Sequence, residues 1–235
     1  MLSAKRALDV AVSGLVLLGS APILLLAMAL VRWQLGAPVL FRQSRPGLHG
    51  EPFTIIKLRT MRDALDATGQ PLPDSARLTR LGRWLRKLSI DELPQLMNVL
   101  RGEMSLVGPR PLLLKYLPLY SARQARRHEV LPGITGWAQV NGRNALSWPA
   151  RLELDVWYVE QRSFRLDCYI LWRSLASVAS GRGVSADGEV TVQEFRGESL
   201  PEVTAASRTG SADASDMRRD GMPASTGPNE GKPST

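Results

Sequence analysis

The sequence predicts an α+β fold, predominantly helical, with an N-terminal re-entrant membrane helix, a small β-hairpin and amphipathic interfacial helices around a central site. Three observations predict it. Val10–Val31 is an uncharged run of 22 residues, interrupted by Gly19-Ser20-Ala21-Pro22. Residues 38–60 alternate short apolar runs with turn residues, and helix-periodic stretches fill much of the remainder. The 235 residues have room for one domain with appendages. The boundaries read as 1–37 for the membrane helix, 38–182 for the main domain and 183–235 for a tail.

The apolar run is long enough to cross a bilayer. A cleaved signal peptide would explain Lys5, Arg6 and the Ala27-Met28-Ala29 triplet, but its apolar region usually runs only about 7–15 residues. A straight span would explain the length. Pro22, however, removes a backbone bond in the middle, leaving halves of roughly ten residues, each about 15 Å of helix. Cations flank both ends, Lys5 and Arg6 before and Arg32, Arg42 and Arg45 after. Positive charge prefers the cytoplasmic side, so equal claims from both ends favour a hairpin that enters and leaves one face. Ser20 can help satisfy carbonyls freed at the break.

Val39–Gln43 and Phe53–Leu58 read as a strand pair, because Arg45-Pro46-Gly47 and His49-Gly50-Glu51-Pro52 are turns. Residues 63–76 are polar, with Gly69, Pro71 and Pro73, and read as a surface loop. Arg77–Leu88 is a short amphipathic helix: Arg80, Arg83 and Lys87 on one face, Leu81, Trp84, Leu85 and Leu88 on the other. That pattern fits a helix in the membrane interface and equally one packed on a core. Pro111–Arg127 is a second mixed stretch, broken by Pro118. Residues 131–144 are punctuated by glycine and read as a loop built for close backbone approach. Leu152–Val178 is helical with a break near Arg162-Ser163. Apolar density falls from about Gly181, and residues 199–235 read as disordered.

Net charge is +8, divided into +12 over residues 1–182 and −4 over 183–235. A basic body calls for a polyanionic partner: nucleic acid, anionic lipid or a phosphorylated substrate. The single cysteine, Cys168, excludes an intrachain disulfide and fits a reducing compartment. His49 and His128 are too few and too far apart for a histidine metal site, and read as surface residues. Within this basic body, SIDELPQLMNVLRGE (89–103) sets Asp91 and Glu92 between arginine-bearing segments. Acids can hold a divalent cation while arginines hold phosphate oxygens. Ser89-x-x-Glu92 is also a capping box, which places acids at a helix start for reasons of stability alone. Spacing leaves both readings standing.

In order along the chain stand KRALDV (5–10), the broken apolar segment, LFRQSRPG (40–47), FTIIKLRTM (53–61), LTRLGRWLRKLSIDELPQL (78–96), GEMSLVGPRP (102–111), LPGITGWAQVNGR (131–143) and LELDVWYV (152–159). Together they resemble the catalytic domain of the bacterial sugar transferases, the monotopic phosphoglycosyl transferases, over residues 3 to about 182. The resemblance implies an Mg²⁺-dependent enzyme at the cytoplasmic face of the bacterial inner membrane. Such enzymes move sugar-1-phosphate from a UDP-sugar to a polyprenyl phosphate such as undecaprenyl phosphate. UMP leaves, and a surface polysaccharide or glycoconjugate, exopolysaccharide or lipopolysaccharide, begins. The membrane helix would break at Ser20 and Pro22. Asp91 would be the nucleophile and a magnesium ligand, forming an aspartyl-phosphosugar intermediate, with Glu92 as base or as partner of the incoming lipid phosphate. Lys57, Arg59, Arg86 and Arg110 would contact phosphate, and Gln139 and Arg143 nucleotide or sugar. Asp155 would serve the site or pair with a helical arginine such as Arg151. Expected partners are the UDP-sugar, undecaprenyl phosphate, inner-membrane lipid and downstream glycosyltransferases, with no nucleic acid. One apolar segment counts against the multi-spanning phosphoglycosyl transferases. A non-catalytic membrane-anchored scaffold, or an anionic-lipid-binding protein, explains the charge but not the acid pair.

Overall fold

The computed structural model describes residues 4–142, 146–179 and 194–197. The chain divides after Ser199 into two units, and the second, Leu200–Thr235, lies outside the described residues together with the disorder expected for 199–235.

Helix α1 runs from Ala4 to Leu35 with Pro22 inside it. Helical structure continues through Ser20-Ala21-Pro22, and the Ser20 hydroxyl donates to Leu17 O at 3.4 Å. Proline removes one bond of the ladder, and an apolar helix without competing water keeps the others. The middle of α1 is bare, with Leu18 77 % exposed, whereas Asp9, Ser13, Ala27 and Val31 near its two ends are buried. At the N-terminal end Asp9 accepts from Ser105 Oγ (2.8 Å) and from Leu106 N–H (3.1 Å). Arg6 donates to Val99 O (2.6 Å) and Leu100 O (3.0 Å), carbonyls at the C-terminal end of helix α4 (Gln95–Arg101). Lys5 pairs with Asp167 at 2.6 Å, whose other oxygen takes the Tyr158 hydroxyl at 2.7 Å. The flanking cations Lys5 and Arg6 are therefore docking groups. At the other end Ala27 and Val31 pack with Leu58 and Leu85.

Strands β1 (Leu40–Pro46) and β2 (Pro52–Leu58) form the expected antiparallel hairpin, in register from Leu40 opposite Leu58 to Pro46 opposite Pro52. Asn98 of α4 ties the hairpin to the body, accepting from Ile56 N–H and donating to Thr54 O at 2.7 Å. Most of 63–76 is exposed loop, ending in one turn of helix, α2 (Asp74–Arg77). Helix α3 (Arg80–Lys87) starts later than expected because Thr79 caps it, its hydroxyl accepting from Gly82 N–H at 2.9 Å. Gly82 abuts strand β2's exit so tightly that a Cβ would lie 2.1 Å from Thr60 O. Leu85 turns inward toward α1, while Trp84 is 63 % exposed beside it.

The glycine-punctuated stretch 131–144 is not all loop. Gly133–Thr135 forms β4, parallel to β3 (Ser105–Val107), and Trp137–Val140 is a turn of helix, α6. Three-residue strands are too short to show a period of two, so the pairing was invisible in sequence. The close approach is real: a Cβ on Gly133 would lie 2.1 Å from Gly108 N. Before β4, Ser121 and Gln124 form a capping box on α5 (Ala122–Ala125). Helices α7 (Trp148–Gln161) and α8 (Phe164–Ala179) break at Arg162-Ser163 as expected. The core gathers Leu96 and Val99 of α4, Met104 just before β3, Val107 of β3, Tyr158 of α7 and Ile170 of α8. His128 is buried rather than on the surface, with Nδ1 3.3 Å from Gly47 O.

Within the stretch read as tail, residues 194–197 are described. Phe195 is 4 % exposed, in a cluster with Leu112, Tyr116 and Leu152. A lone aromatic among polar residues gives no periodic signal. Deleting residues 199–235 should still leave the unfolding temperature within a few degrees and transfer activity near wild type, since the apolar residues larger than alanine in that stretch are only Leu200, Val203, Met217 and Met222, too sparse to build a core. A large loss of either in the purified truncated protein would contradict this.

Candidate active site

Two acids sit where α3 ends. Ser89 adopts a left-handed conformation (φ 55°, ψ 21°) and turns the chain from α3 into a single 3-10 turn, Ile90–Glu92, that leads through Pro94 into α4. Such conformations are uncommon for residues other than glycine. Ser89 makes no side-chain capping bond, and the Glu92 carboxylate points elsewhere. The capping-box reading therefore fails on geometry.

Glu92 accepts from two cations. Lys57, delivered by β2, lies 2.7 Å away, and Arg110, held between Pro109 and Pro111 after β3, forms the second ion pair. Arg110 also reaches Ile134 O at 3.4 Å. Burial would raise the Glu92 carboxyl, but Arg110 and Lys57 overcome it and hold Glu92 well below the usual carboxylate range. Lys57 is lowered by burial and by the charge of Arg110. A carboxylate held so firmly in its charged form is a weak proton acceptor. In this conformation it pairs with both Lys57 and Arg110.

Asp91 behaves oppositely. Neighbouring side chains on a 3-10 turn diverge by about 120°, so Asp91 does not share the cations of Glu92. Among the described residues its carboxylate has no ion-pair partner, and it is 7 % exposed. Burial, then the adjacent Glu92 charge, pushes it up to about 6. Lys57, Arg86 and Arg110 pull the other way from further off. One acid is spent on cations, and the other is left unneutralised beside them.

The remaining expected residues divide. Arg86 stands by Asp91, its Nε donating to Thr60 Oγ1 at 3.1 Å. Arg59 does not face the acids: it donates to Leu35 O, to Ala37 O (3.2 Å) and to Asp63 (3.3 Å), closing the C-terminus of α1. An arginine that caps a helix has the same sequence appearance as one that awaits phosphate. Gln139 lies on α6, with its Oε1 beside Gly136. Arg143 lies outside the described residues. Asp155 pairs with Arg127, at 2.7 and 3.1 Å, with both side chains 1 % exposed, and the charge of Arg151 also acts on it. Arg127, missed in the sequence, also donates to Arg110 O at 2.7 Å and so holds the backbone of Arg110. Arg45 was missed too: burial and the charge of Arg110 lower it, placing another cation near the site. No cluster of three or more metal-ligating side chains occurs among the described residues.

The match to the bacterial sugar transferase family covers residues 1–181. The sugar transferase EpsL of Bacillus subtilis is 56 % identical over 193 residues, spanning 82 % of this chain and 96 % of EpsL. The undecaprenyl-phosphate glucose phosphotransferase of Komagataeibacter xylinus is 44 % identical over 73 % of this chain, which corresponds to 35 % of that longer protein. A UDP-glucose:undecaprenyl-phosphate glucose-1-phosphate transferase of Caulobacter vibrioides is 44 % identical over 74 % of this chain and 69 % of its own length. With Asp91, Glu92, Lys57 and Arg110 brought together inside the matched stretch, this chain belongs to the bacterial sugar transferase family.

Proposed function

We propose that this protein transfers sugar-1-phosphate from a UDP-sugar to undecaprenyl phosphate in two steps through Asp91, and so initiates a surface glycan. The observation that carries the reading is the division of the acid pair: Glu92 is neutralised by Lys57 and Arg110, while Asp91 is buried without an ion pair among the described residues. An Asp91 oxygen attacks the sugar-bearing β-phosphorus. The bond from that phosphorus to the bridging oxygen breaks, and UMP leaves with its electron pair. An oxygen of the lipid phosphate then attacks the same phosphorus, and the Asp91 carboxylate is released. Lys57, Arg86 and Arg110 bind and orient the diphosphate.

The donor set fits Mg²⁺ in one respect: this ion typically takes one or two carboxylates and completes its shell with water and substrate phosphates, and Asp91 offers an unpaired carboxylate. When bound at Asp91, Mg²⁺ would neutralise charge on the diphosphate and on departing UMP.

The membrane arrangement belongs to the same reading. The ends of α1 dock on one body: residues 5–9 on α4, β3 and Asp167, and residues 27–31 on Leu58 and Leu85. A straight span would carry the ends to opposite faces of a bilayer, so we place α1 as a helix that returns to the cytoplasmic side. Trp84, exposed next to α1's C-terminal half, suits the lipid interface. Cysteines at Ser3 and Gln34, with Cys168 removed, should both resist impermeant thiol reagents in intact cells. Gln34 serves better than Gly36, whose φ of 74° strains any side chain. Labelling of either site alone would indicate a span instead.

The covalent step has its own test. Incubation with a UDP-sugar alone, UDP-glucose first, should give a chain heavier by one sugar phosphate, mapped to Asp91 by mass spectrometry and accompanied by ping-pong kinetics. A reaction that requires both substrates bound together would overturn it.

A further inference from the structure

Phe195 lies beyond the matched stretch, which ends at residue 181, yet it is among the most buried aromatics of the chain. Its ring lies 5.3 Å from Trp148, 5.6 Å from Tyr116 edge-on, and 5.6 Å from Tyr120 in a near-parallel stack. Its backbone N–H donates to the Tyr116 hydroxyl at 3.4 Å, and Glu194 pairs with Lys115. The aromatics it touches lead to the acid pair. The Arg127 guanidinium lies 5.8 Å from the Tyr120 ring centre, and Arg127 donates to Arg110 O at 2.7 Å. Leu112 and Leu113, which complete the cluster, follow Arg110-Pro111 directly in the chain.

We infer that Glu194–Gly197 is an intramolecular clasp, and that Phe195 is a positioning residue for Arg110, acting through the Leu112–Tyr120 segment and Arg127. The inference rests on the proposed role of Arg110 in phosphate binding. Bulk apolar packing would hold the two leucines, but a near-parallel ring against Tyr120 also fixes the face that Tyr120 presents to Arg127. Arg110 is thereby constrained from both sides, by Glu92 at its guanidinium and by the clasped segment at its backbone.

Phe195→Ala in the full-length protein should lower kcat/KM for the UDP-sugar tenfold or more. In an Arg110→Lys background the same change should cost less than twofold, because the group being positioned has already lost its fork. Phe195→Leu, which keeps bulk, serves where the alanine variant unfolds, and its melting temperature is measured beside the rates. Hydrogen exchange at amides 112–120 should quicken in either variant. Chains ending at residue 199 should behave as wild type, and chains ending at residue 193 as Phe195→Ala. Equal losses in both Arg110 backgrounds would mean the segment merely stabilises the fold, and no loss at all would overturn the clasp. If wild type itself transfers nothing from any UDP-sugar, the functional reading fails. Unchanged exchange at 112–120 would in that case still overturn the clasp, and faster exchange would support its structural half and leave Arg110 to be given another anion.

Discussion

Asp91→Asn should lose UMP release and lipid product by several orders of magnitude and, above pH 6, should make the metal-free protein more stable than wild type. The first effect follows from removal of a covalent step rather than of a contact. The second follows from burial, which raises Asp91 from 3.8 to about 6. A carboxyl with a raised folded-state value binds its proton more tightly in the fold than in the unfolded chain. Its ionisation therefore lowers stability as pH climbs through the window from about 4 to 6. A shift of about two units corresponds to roughly 3 kcal/mol, and asparagine removes the charge responsible. Melts of wild type and variant in chelator should coincide near pH 4 and separate by pH 7, with the variant higher. Added Mg²⁺ should raise the wild-type melting temperature and leave the variant unchanged. UMP release by wild type should fall as pH drops through about 6, because the protonated carboxyl neither attacks nor ligates. Substantial turnover in the variant would place the nucleophile elsewhere. A variant no more stable at pH 7 would mean that Asp91 finds compensation in the fold that its surroundings do not reveal.

What was legible in the sequence is what local pattern encodes. The apolar run, the turn-flanked hairpin and the break at Arg162-Ser163 each leave a signature within a few residues. Arg110 stood out because prolines on both sides restrict its backbone, and Asp91 and Glu92 because acids are scarce in a basic body. Other features required the third dimension. Lys5, Arg6 and Arg59 have the composition of membrane flanks or phosphate ligands, yet they spend their donors on carbonyls and on Asp167. Arg126 and Arg127 are neighbours of equal charge, but Arg126 pairs with Glu129 and Glu160 at the surface and Arg127 is buried against Asp155. The division of labour between Asp91 and Glu92 had no sequence correlate, since it depends on which carboxylate the hairpin's Lys57 meets.

Breaking the Arg127–Asp155 pair should be the most damaging change away from the acids. Both side chains are almost fully buried, and removal of one partner leaves an uncompensated charge, a loss of about 3–5 kcal/mol. Burial already raises Asp155, and among the described residues its Oδ1 has no hydrogen-bond partner, so Arg127 is the main group that keeps the carboxylate charged. Asp155→Asn and Arg127→Met should each lower the melting temperature sharply. Replacing both together, with Asp155→Leu and Arg127→Met, removes two desolvated charges at once and should restore most of the stability, because apolar side chains of similar volume often substitute for a buried ion pair at little cost. Activity should not return with it. Arg110 O still lacks the donor that Arg127 supplied, and a guanidinium displaced by even about 1 Å can cost on the order of a hundredfold. The decisive measurement is donor kinetics of the stable double variant. A kcat/KM still depressed tenfold or more would identify Arg127 as a positioning group for Arg110, and full recovery would reduce the pair to a prop of the fold.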